Sequence, residues 1–306
     1  MNNTTSKDNK DFQCGYIALI GRPNVGKSTL MNYILGQKIS ITSHRPQTTR
    51  HRIVGIKTTD NAQFVYLDTP GIHDNEKKAM NRYMNRTAGA SFKDVDVIVF
   101  LVEAMRWTAE DDLVIKRFQN TKSPVILAIN KVDLIKKKED LLPFLEKIRN
   151  KFEFKEYIPL SAMKGDNIEN LEDILLNYLP VSEPFYSEDQ ITDRSSRFMA
   201  SEIIREKLTR NLTQELPYDL TVEIEKFEHD GKILDISAVI WVERKNQKAI
   251  IIGKGGGKLK EMGTKARIDM EKLFQDKVFL QLWVKVKSGW SDDVRALNSL
   301  GYLDDY

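Results

Sequence analysis

The segment GRPNVGKS (21–28) fits the pattern G-x-x-x-x-G-K-[ST], which is typical of a loop that binds nucleotide phosphates. An apolar run (16–21) precedes it and a helix-like run (27–36) follows it, as a strand and a helix should. The glycines allow a tight turn whose N–H groups converge on phosphate oxygens, and the helix N-terminus adds partial positive charge. We expect Lys27 to bridge the β- and γ-phosphates and the Ser28 hydroxyl to bind Mg²⁺.

A second motif, DTPG (68–71), ends an apolar run forty residues after Ser28. Asp68 could hold Mg²⁺ through its water shell, and the N–H of Gly71 could contact a γ-phosphate. By itself the segment would be a plain turn after a strand. Its position after a phosphate-binding loop is what predicts a role at the metal and the phosphate.

Two further motifs indicate which base is bound. NKVD (130–133) follows an apolar run, and Asp133 at a strand end can accept hydrogen bonds from guanine N1–H and the 2-amino group together. Adenine offers neither donor and would leave a buried carboxylate unpaired, which is costly. Asn130 and Lys131 would brace the base and the phosphate loop, and SA (161–162) would supply a backbone N–H for guanine O6. We therefore expect GTP or GDP rather than ATP.

In this order, the four motifs resemble those of the Ras-like GTPase superfamily. GRPNVGKSTLMN (21–32) together with QTTRHRIVGI (47–56) resembles the Era family, which consists of bacterial ribosome-assembly GTPases. QTTRH (47–51) matches the first switch segment of that family, and residues 71–88 would be the second switch. One of the two threonines in QTTRH should reach Mg²⁺ through its hydroxyl, and we favour the second.

The residue after DTPG departs from the Ras-like pattern. Ile72 stands where Ras-type enzymes carry the glutamine that orients the attacking water, so we expect slow hydrolysis or outside help. The Era resemblance implies instead a K⁺ ion coordinated by the phosphate-loop asparagine, here Asn24. The alternative for Asn24 is an amide that only stabilises the turn.

The resemblance implies three sets of site residues in this part of the chain. The nucleotide contacts are Gly21, Arg22, Pro23, Asn24, Val25, Gly26, Lys27, Ser28, Thr29, Asp68, Thr69, Pro70, Gly71, Ile72, Asn130, Lys131, Val132, Asp133, Leu160, Ser161 and Ala162. The Mg²⁺ contacts are Ser28, Asp68 and one of Thr48 and Thr49. The catalytic set is Lys27, Asn24, Thr48 and Thr49.

A glycine cluster in the last third of the chain predicts an RNA-binding element. GKGG (253–256) is a G-x-x-G loop between an apolar segment and a basic helix, and such a loop is typical of the KH fold, where it clamps about four nucleotides. The window 244–290 holds 12 basic and 4 acidic residues, which favours a polyanion partner. Residues 250–252 would offer an apolar floor for bases. The expected RNA contacts are Ile252, Gly253, Lys254, Gly255, Gly256, Lys258 and Lys260.

The elements that must position these motifs alternate between apolar strands and amphipathic helices. Strands are predicted near 16–21, 53–59, 63–69, 95–104, 123–130 and 157–162, with helices near 27–36, 110–121, 139–152 and 168–180. This order predicts an α/β P-loop GTPase domain whose mostly parallel sheet is covered by helices on both faces. A smaller α+β domain should follow, with a helix at 194–215, strands at 219–228 and 233–244, a helix at 258–275 and a strand at 278–287. That order resembles the type II KH domain of the Era family.

The 306 residues therefore divide into a flexible tail (1–13), a GTPase domain (14–182), a linker (183–193) and a KH domain (194–306). With 41% hydrophobic and 30% charged residues, the chain can form real cores. Three tryptophans, Trp241, Trp283 and Trp290, are expected in the core rather than as platforms for stacking bases.

Composition excludes two classes of protein. The most apolar runs are eight and seven residues long, which is too short to span a membrane, and Cys14 is the only cysteine, which excludes a disulfide scaffold. No secretory signal precedes the first strand, so we expect a soluble, cytoplasmic protein. Peripheral membrane contact is implied by the resemblance alone, with only the basic window in its favour.

Together these features predict a monomeric, GTP-hydrolysing switch that binds ribosomal RNA. By resemblance, the RNA is the 3′ end of the small-subunit 16S rRNA and the task is maturation of the 30S subunit. Two alternatives remain open: a signalling GTPase whose C-terminal domain binds a protein, and an RNA-binding scaffold whose nucleotide is structural.

Overall fold

The computed structural model describes residues 11–43, 48–71, 79–90, 94–212, 220–300 and 302. The first half forms a six-stranded sheet in the order β2-β3-β1-β4-β5-β6. Its strands are β1 (Gln13–Ile20), β2 (Ile53–Thr58), β3 (Ala62–Asp68), β4 (Val97–Glu103), β5 (Val125–Asn130) and β6 (Glu156–Pro159). The β2–β3 hairpin is antiparallel and the other neighbouring strands are parallel, as the sequence predicts.

Helices cover both faces of this sheet and create two apolar cores. They are α1 (Lys27–Ile34), α2 (Ala79–Ala90), α3 (Ala109–Phe118), α4 (Leu141–Ile148) and α5 (Ile168–Leu176). The side chains of β1 point alternately into the two cores. Ile17 and Leu19 lie in one core, and Ala18 and Ile20 lie in the other. Because both faces are covered, the central strands are apolar throughout rather than alternating.

The second half forms a three-stranded sheet in the order β7-β8-β9, with β7 antiparallel and β9 parallel to β8. Its elements are α6 (Ser196–Asn211), β7 (Leu220–His229), β8 (Leu234–Val242), α7 (Lys245–Ile252), α8 (Gly257–Phe274), β9 (Val278–Val286) and α9 (Val294–Ser299). The β-β-α-α-β order matches the predicted KH domain. The ranges predicted from the sequence include none of α2, α7 and α9.

The predicted linker lies against the first sheet. The N–H of Ile56 donates to the carbonyl of Ile191 at 2.8 Å, and the N–H groups of Phe185 and Tyr186 donate to Gln63 Oε1. Helix α6 then contacts cores of both halves. Within the described ranges, no helix is long and apolar enough to cross a membrane.

The tryptophans correct one expectation. Trp290 is fully buried, as predicted, but Trp283 is 43% exposed and Trp241 is only partly buried. Both belong to strands whose other face carries the core, so alternation places them on the outer face of the second sheet. Cys14 is buried, and burial raises the pKa of its thiol.

Candidate nucleotide-binding site and RNA groove

The phosphate loop connects β1 to α1 and depends on residues with positive φ. Gly21 has φ 152°, Gly26 has φ 106° and Asn24 has φ 64°. A Cβ on Gly26 would lie 2.2 Å from Asn130 Nδ2, so only glycine fits there. The turn and the close contact thus explain the glycine at this place in the motif.

Lys27 lies buried inside the loop that it serves. Its Nζ donates to the carbonyls of Gly21 at 2.9 Å and Arg22 at 3.0 Å. Burial lowers the pKa of Lys27 to about 8, against the opposing attraction of Asp68. A phosphate bound in the loop would supply the countercharge that the buried ammonium lacks.

Asp68, at the end of β3, is the centre of a candidate Mg²⁺ site. Its Oδ2 accepts hydrogen bonds from Ser28 Oγ at 2.6 Å and Ser40 Oγ at 2.8 Å. Its Oδ1 is buried and has no hydrogen-bond partner among the described residues. Burial raises the pKa of this carboxyl. An orphaned carboxylate oxygen beside two hydroxyls fits a hard cation that prefers oxygen ligands.

The structure distinguishes the two candidate threonines. Thr49 Oγ1 lies 3.0 Å from Ser28 Oγ, whereas the carbonyl of Thr48 accepts a hydrogen bond from Arg205. Thr49 is therefore the threonine that lies at the candidate metal site. Gln47 of the same segment and Ile72 of the second switch lie outside the described residues.

DTPG contacts the phosphate loop directly. A Cβ on Gly71 would lie 2.8 Å from the side chain of Pro23, so the two backbones approach closely. Thr69 Oγ1 donates to the carbonyl of Leu19 at 3.0 Å, which fixes the end of β3 to β1. The two motifs therefore meet at one edge of the sheet, as parallel strands require.

The base-recognition motifs meet at the neighbouring strand ends. Asn130 Nδ2 donates to the carbonyl of Val25 at 2.7 Å, which ties NKVD to the phosphate loop. Ser161 Oγ donates to Asp133 Oδ1 at 2.6 Å and so orients the carboxylate. The N–H of Ala162, expected at guanine O6, donates to Asn130 Oδ1 at 2.9 Å in this structure.

A charged network that no sequence motif predicted lies behind these loops. Glu103, the last residue of β4, accepts from Arg22 at 2.9 Å and lies 3.3 Å from the ammonium of Lys131. Asp111, at the start of α3, lies 3.2 Å from Arg22. Burial raises the pKa of Glu103, but Arg22 and Lys131 outweigh it, so the pKa is lowered. One carboxylate thus joins the phosphate loop to NKVD.

The expected switch segments contact the C-terminal segment (289–302), and the sequence did not predict this contact. Arg50 donates to the carbonyl of Leu220 at 2.7 Å and to the hydroxyl of Tyr302 at 3.3 Å. The ring of His51 stacks on Tyr302 at a centroid distance of 4.7 Å. Tyr83 of α2 belongs to the same apolar cluster as Tyr302. No sequence pattern reveals this contact, because it joins residues some 250 positions apart.

The G-x-x-G loop has the backbone that its glycines allow. Gly253, Gly255 and Gly256 have φ of 71°, 59° and 79°, and α8 begins directly after them. A groove of about 350 Å³ runs between α8 and β9. It is lined by Gly256, Leu259, Lys260, Gly263, Thr264, Arg267, Leu280 and Leu282. Only Gly256 and Lys260 were predicted, because the other groove residues of α8 and β9 come together only in the fold.

The apolar floor expected at residues 250–252 is partly wrong. Ile251 is fully buried in the core of the domain, because α7 is a helix and turns this side chain inward. Ile250 is exposed, and Ile252 lines a second depression with Lys245 and Lys248. Lys254, Lys258 and Lys260 are exposed beside the loop.

Comparison with known proteins supports both sites. The family described as 50S ribosome-binding GTPase matches residues 16–131, and the family described as KH domain matches residues 215–291. GTPase Era of Pseudomonas aeruginosa is 58% identical over 292 residues, covering 95% of this chain and 96% of that protein. GTPase Era of Marinobacter nauticus is 55% identical over 304 residues, covering 99% and 100%.

Two solved structures are similar over nearly the whole chain. Era in complex with MgGDPNP and nucleotides 1506–1542 of 16S ribosomal RNA has a TM-score of 0.91 and 40% identity, covering 95% of this chain and 99% of that one. A variant of Aquifex aeolicus Era bound to GDP and AlF4⁻ has a TM-score of 0.90 and 39% identity, covering 95% and 99%.

The fold and the two sites define a GTPase with a C-terminal KH domain. The full-length identity makes the assignment specific: the chain belongs to the Era family of GTPases.

Proposed function

We propose that the protein is a GTP-hydrolysing switch that binds the 3′ end of the small-subunit 16S rRNA and acts in maturation of the 30S subunit. The observation that carries the proposal is the presence, in one chain, of a guanine-nucleotide site and a KH groove. The similar Era structure that contains both MgGDPNP and 16S rRNA supports it. We place the GTPase domain at 14–182, the linker at 183–193 and the RNA-binding domain at 194–306, acting as a monomer.

Nucleotide binding follows from the geometry of the first domain. The amides of the phosphate loop and Lys27 hold the phosphates, and the carboxylate of Asp133 selects guanine. Ser28, Thr49 and Asp68 would hold Mg²⁺, which supplies positive charge to the β- and γ-phosphates when bound. The hydroxyls and the carboxylate would hold the ion beside the phosphate loop.

Hydrolysis needs help beyond the motif residues, because isoleucine follows DTPG where Ras-type enzymes have the glutamine that orients water. We propose that Asn24 helps to hold K⁺ at the phosphates. Asn24 has a positive φ and is exposed, and it follows Pro23, against which Gly71 packs. Turnover should be faster in K⁺ than in Na⁺ at equal ionic strength. Asn24→Ala should abolish the difference and retain much of the GTP affinity; equal wild-type rates in both salts would exclude K⁺.

The main test measures RNA affinity and GTP turnover together. A fluorescent RNA with the sequence of the 16S 3′ end is titrated with the protein bound to GDP or to a non-hydrolysable GTP analogue. Binding to this RNA, stronger than to a scrambled RNA of equal length, supports the proposal. Binding to anionic vesicles alone would instead favour peripheral membrane contact. A protein that turns over GTP but ignores RNA would favour the signalling alternative.

A further inference from the structure

The outer face of the second sheet carries exposed aromatic side chains. Phe279 is 51% exposed and Trp283 is 43% exposed, and both lie on β9, the edge strand. They are four residues apart on one face, which corresponds to about 13 Å along a strand. Large aromatic residues exposed together on a surface mark an interaction site more often than chance.

Lysines accompany these rings. The ammonium groups of Lys285 and Lys287 lie 5.6 and 5.9 Å from the ring centre of Trp241, a residue of the adjacent strand β8. Lys285 also pairs with Glu225 at 2.9 Å. This end of the sheet therefore combines flat apolar surface with cations, the two features that single-stranded nucleic acid requires.

Charge divides the outer face into two halves. Strand β7 contributes Glu223, Glu225 and Glu228, with Lys226 the one basic residue of that strand. The half formed by β9 contributes Lys285 and the following Lys287, and β9 contains no acidic residue. Asp235 of β8 lies opposite Phe279, and Lys226 pairs with this aspartate at 2.7 Å. A polyanion would therefore be held most strongly near Lys285 and Lys287 and repelled from the β7 half.

The β9 half is continuous with the RNA groove. Leu280 and Leu282 line the groove on one side of the strand, and Phe279 and Trp283 alternate with them on the other. A G-x-x-G loop clamps about four nucleotides. The RNA in the similar Era structure spans nucleotides 1506–1542, so most of an RNA of that length lies outside such a clamp.

We propose that single-stranded RNA leaving the G-x-x-G groove crosses the edge of β9 and stacks bases on Phe279 and Trp283, with Lys285 and Lys287 near its phosphates. This inference rests on the proposed RNA-binding function and extends it to a second surface. Stacking tolerates any base, so this surface adds affinity for longer RNA rather than sequence preference.

The test compares a long and a short RNA with the full-length protein. The long probe has the sequence of nucleotides 1506–1542, and the short probe is a hexanucleotide taken from it. Trp283→Ala should weaken binding of the long probe about tenfold and leave the short probe unchanged. Phe279→Ala should act in the same direction, and Trp283→Phe should restore most of the affinity because it retains a ring.

The matched control is Leu142→Ala, which removes a 69% exposed apolar side chain from α4 in the other domain. It should change neither affinity. Unchanged binding of the short probe shows that the variants are folded. If Trp283→Ala binds the long probe as tightly as wild type, the inference is wrong. If Trp283→Ala instead loses binding to the 30S subunit but binds naked RNA normally, the face contacts a protein, and the inference is also wrong. Failure of the wild type to bind either probe would instead contradict the proposed function.

Discussion

We expect guanine selection to depend on a single carboxylate, that of Asp133, which accepts a hydrogen bond from Ser161. In Asp133→Asn, the amide replaces one acceptor with a donor, so it mismatches guanine but can donate to the 2-oxo group of xanthine. We expect GTP affinity to fall at least tenfold and the relative affinity for xanthosine triphosphate to rise. Competition titrations with both nucleotides measure the change. Unaltered GTP affinity would show that NKVD does not contact the base.

Glu103 provides a second test at the level of single residues. It lies between Arg22 of the phosphate loop and Lys131 of NKVD, and its carboxylate contacts both. Glu103→Gln keeps the shape but removes the charge, so both loops lose an anchor. We expect GDP affinity to fall about tenfold, since hydrogen bonds to charged groups contribute about 1.5–3 kcal/mol.

A double-mutant cycle separates this positioning effect from general destabilisation. If Glu103 acts through Lys131, the combined Glu103→Gln and Lys131→Ala variant should lose less affinity than the two single losses together. Asp112→Asn, which alters an exposed ion pair with Lys151, serves as a nearby control. Strict additivity would indicate that Glu103 does not act through the base loop.

The sequence identifies the motif residues of the nucleotide site but not the charged residues that position them. Lys27, Asp68 and Asp133 belong to contiguous motifs that the sequence alone makes recognisable. Glu103 and Asp111 belong to no such pattern, since they meet Arg22 only when β4 and α3 come together in the fold. The choice between Thr48 and Thr49 likewise required the structure.

Among the elements, the G-x-x-G loop carries the sharpest test. Changing Lys254 and Gly255 both to Asp places two carboxylates where RNA phosphates approach and removes one cation. We expect loss of single-stranded RNA binding with normal GTP binding, because the nucleotide site lies in the other domain.

The loop is exposed, so the double variant should remain folded. A melt followed by circular dichroism checks this, although Gly255 has φ 59° and aspartate there adds some strain. Lys245→Asp with Asn246→Asp, at the exposed start of α7, changes the charge by the same three units and serves as the control. A folded Lys254 and Gly255 variant with wild-type RNA affinity would contradict the KH assignment.

Strands with a single pattern of apolar residues were predicted correctly from the sequence, and strands with a mixed pattern were not. β4 and β5 are apolar throughout because helices cover both faces. In β9, FLQLW contains apolar residues on both faces, so the sequence suggested a core position for Trp283 although the strand is covered on one side only. Helices α2 and α9 were not predicted, and they share a small apolar cluster with Trp290 and Tyr302 that forms only in the fold.

At the scale of the whole molecule, the two domains meet at the switches. Arg50 and His51 contact Tyr302, and the N–H of Ala79 at the start of α2 donates to Asp292 at 2.9 Å. The segment that holds these partners directly follows β9, the wall of the RNA groove. We therefore expect a nucleotide that changes the switch contacts to change the RNA groove, and by linkage we expect RNA to change nucleotide affinity in return.

Tyr302 is the residue on which this coupling should depend. Its hydroxyl bonds Thr221 at 2.8 Å and Arg50 at 3.3 Å, and its ring stacks on His51. Tyr302→Phe keeps the stacking and loses both hydrogen bonds, whereas Tyr302→Ala loses all three contacts. We expect the ratio of RNA affinities in the GTP-analogue and GDP forms to move toward one, partly in Tyr302→Phe and further in Tyr302→Ala. RNA titrations in both nucleotide states measure the ratio, and GDP affinity at low RNA checks that the nucleotide site is intact. A Tyr302→Ala protein that keeps the wild-type ratio would show that the C-terminal segment does not carry the coupling.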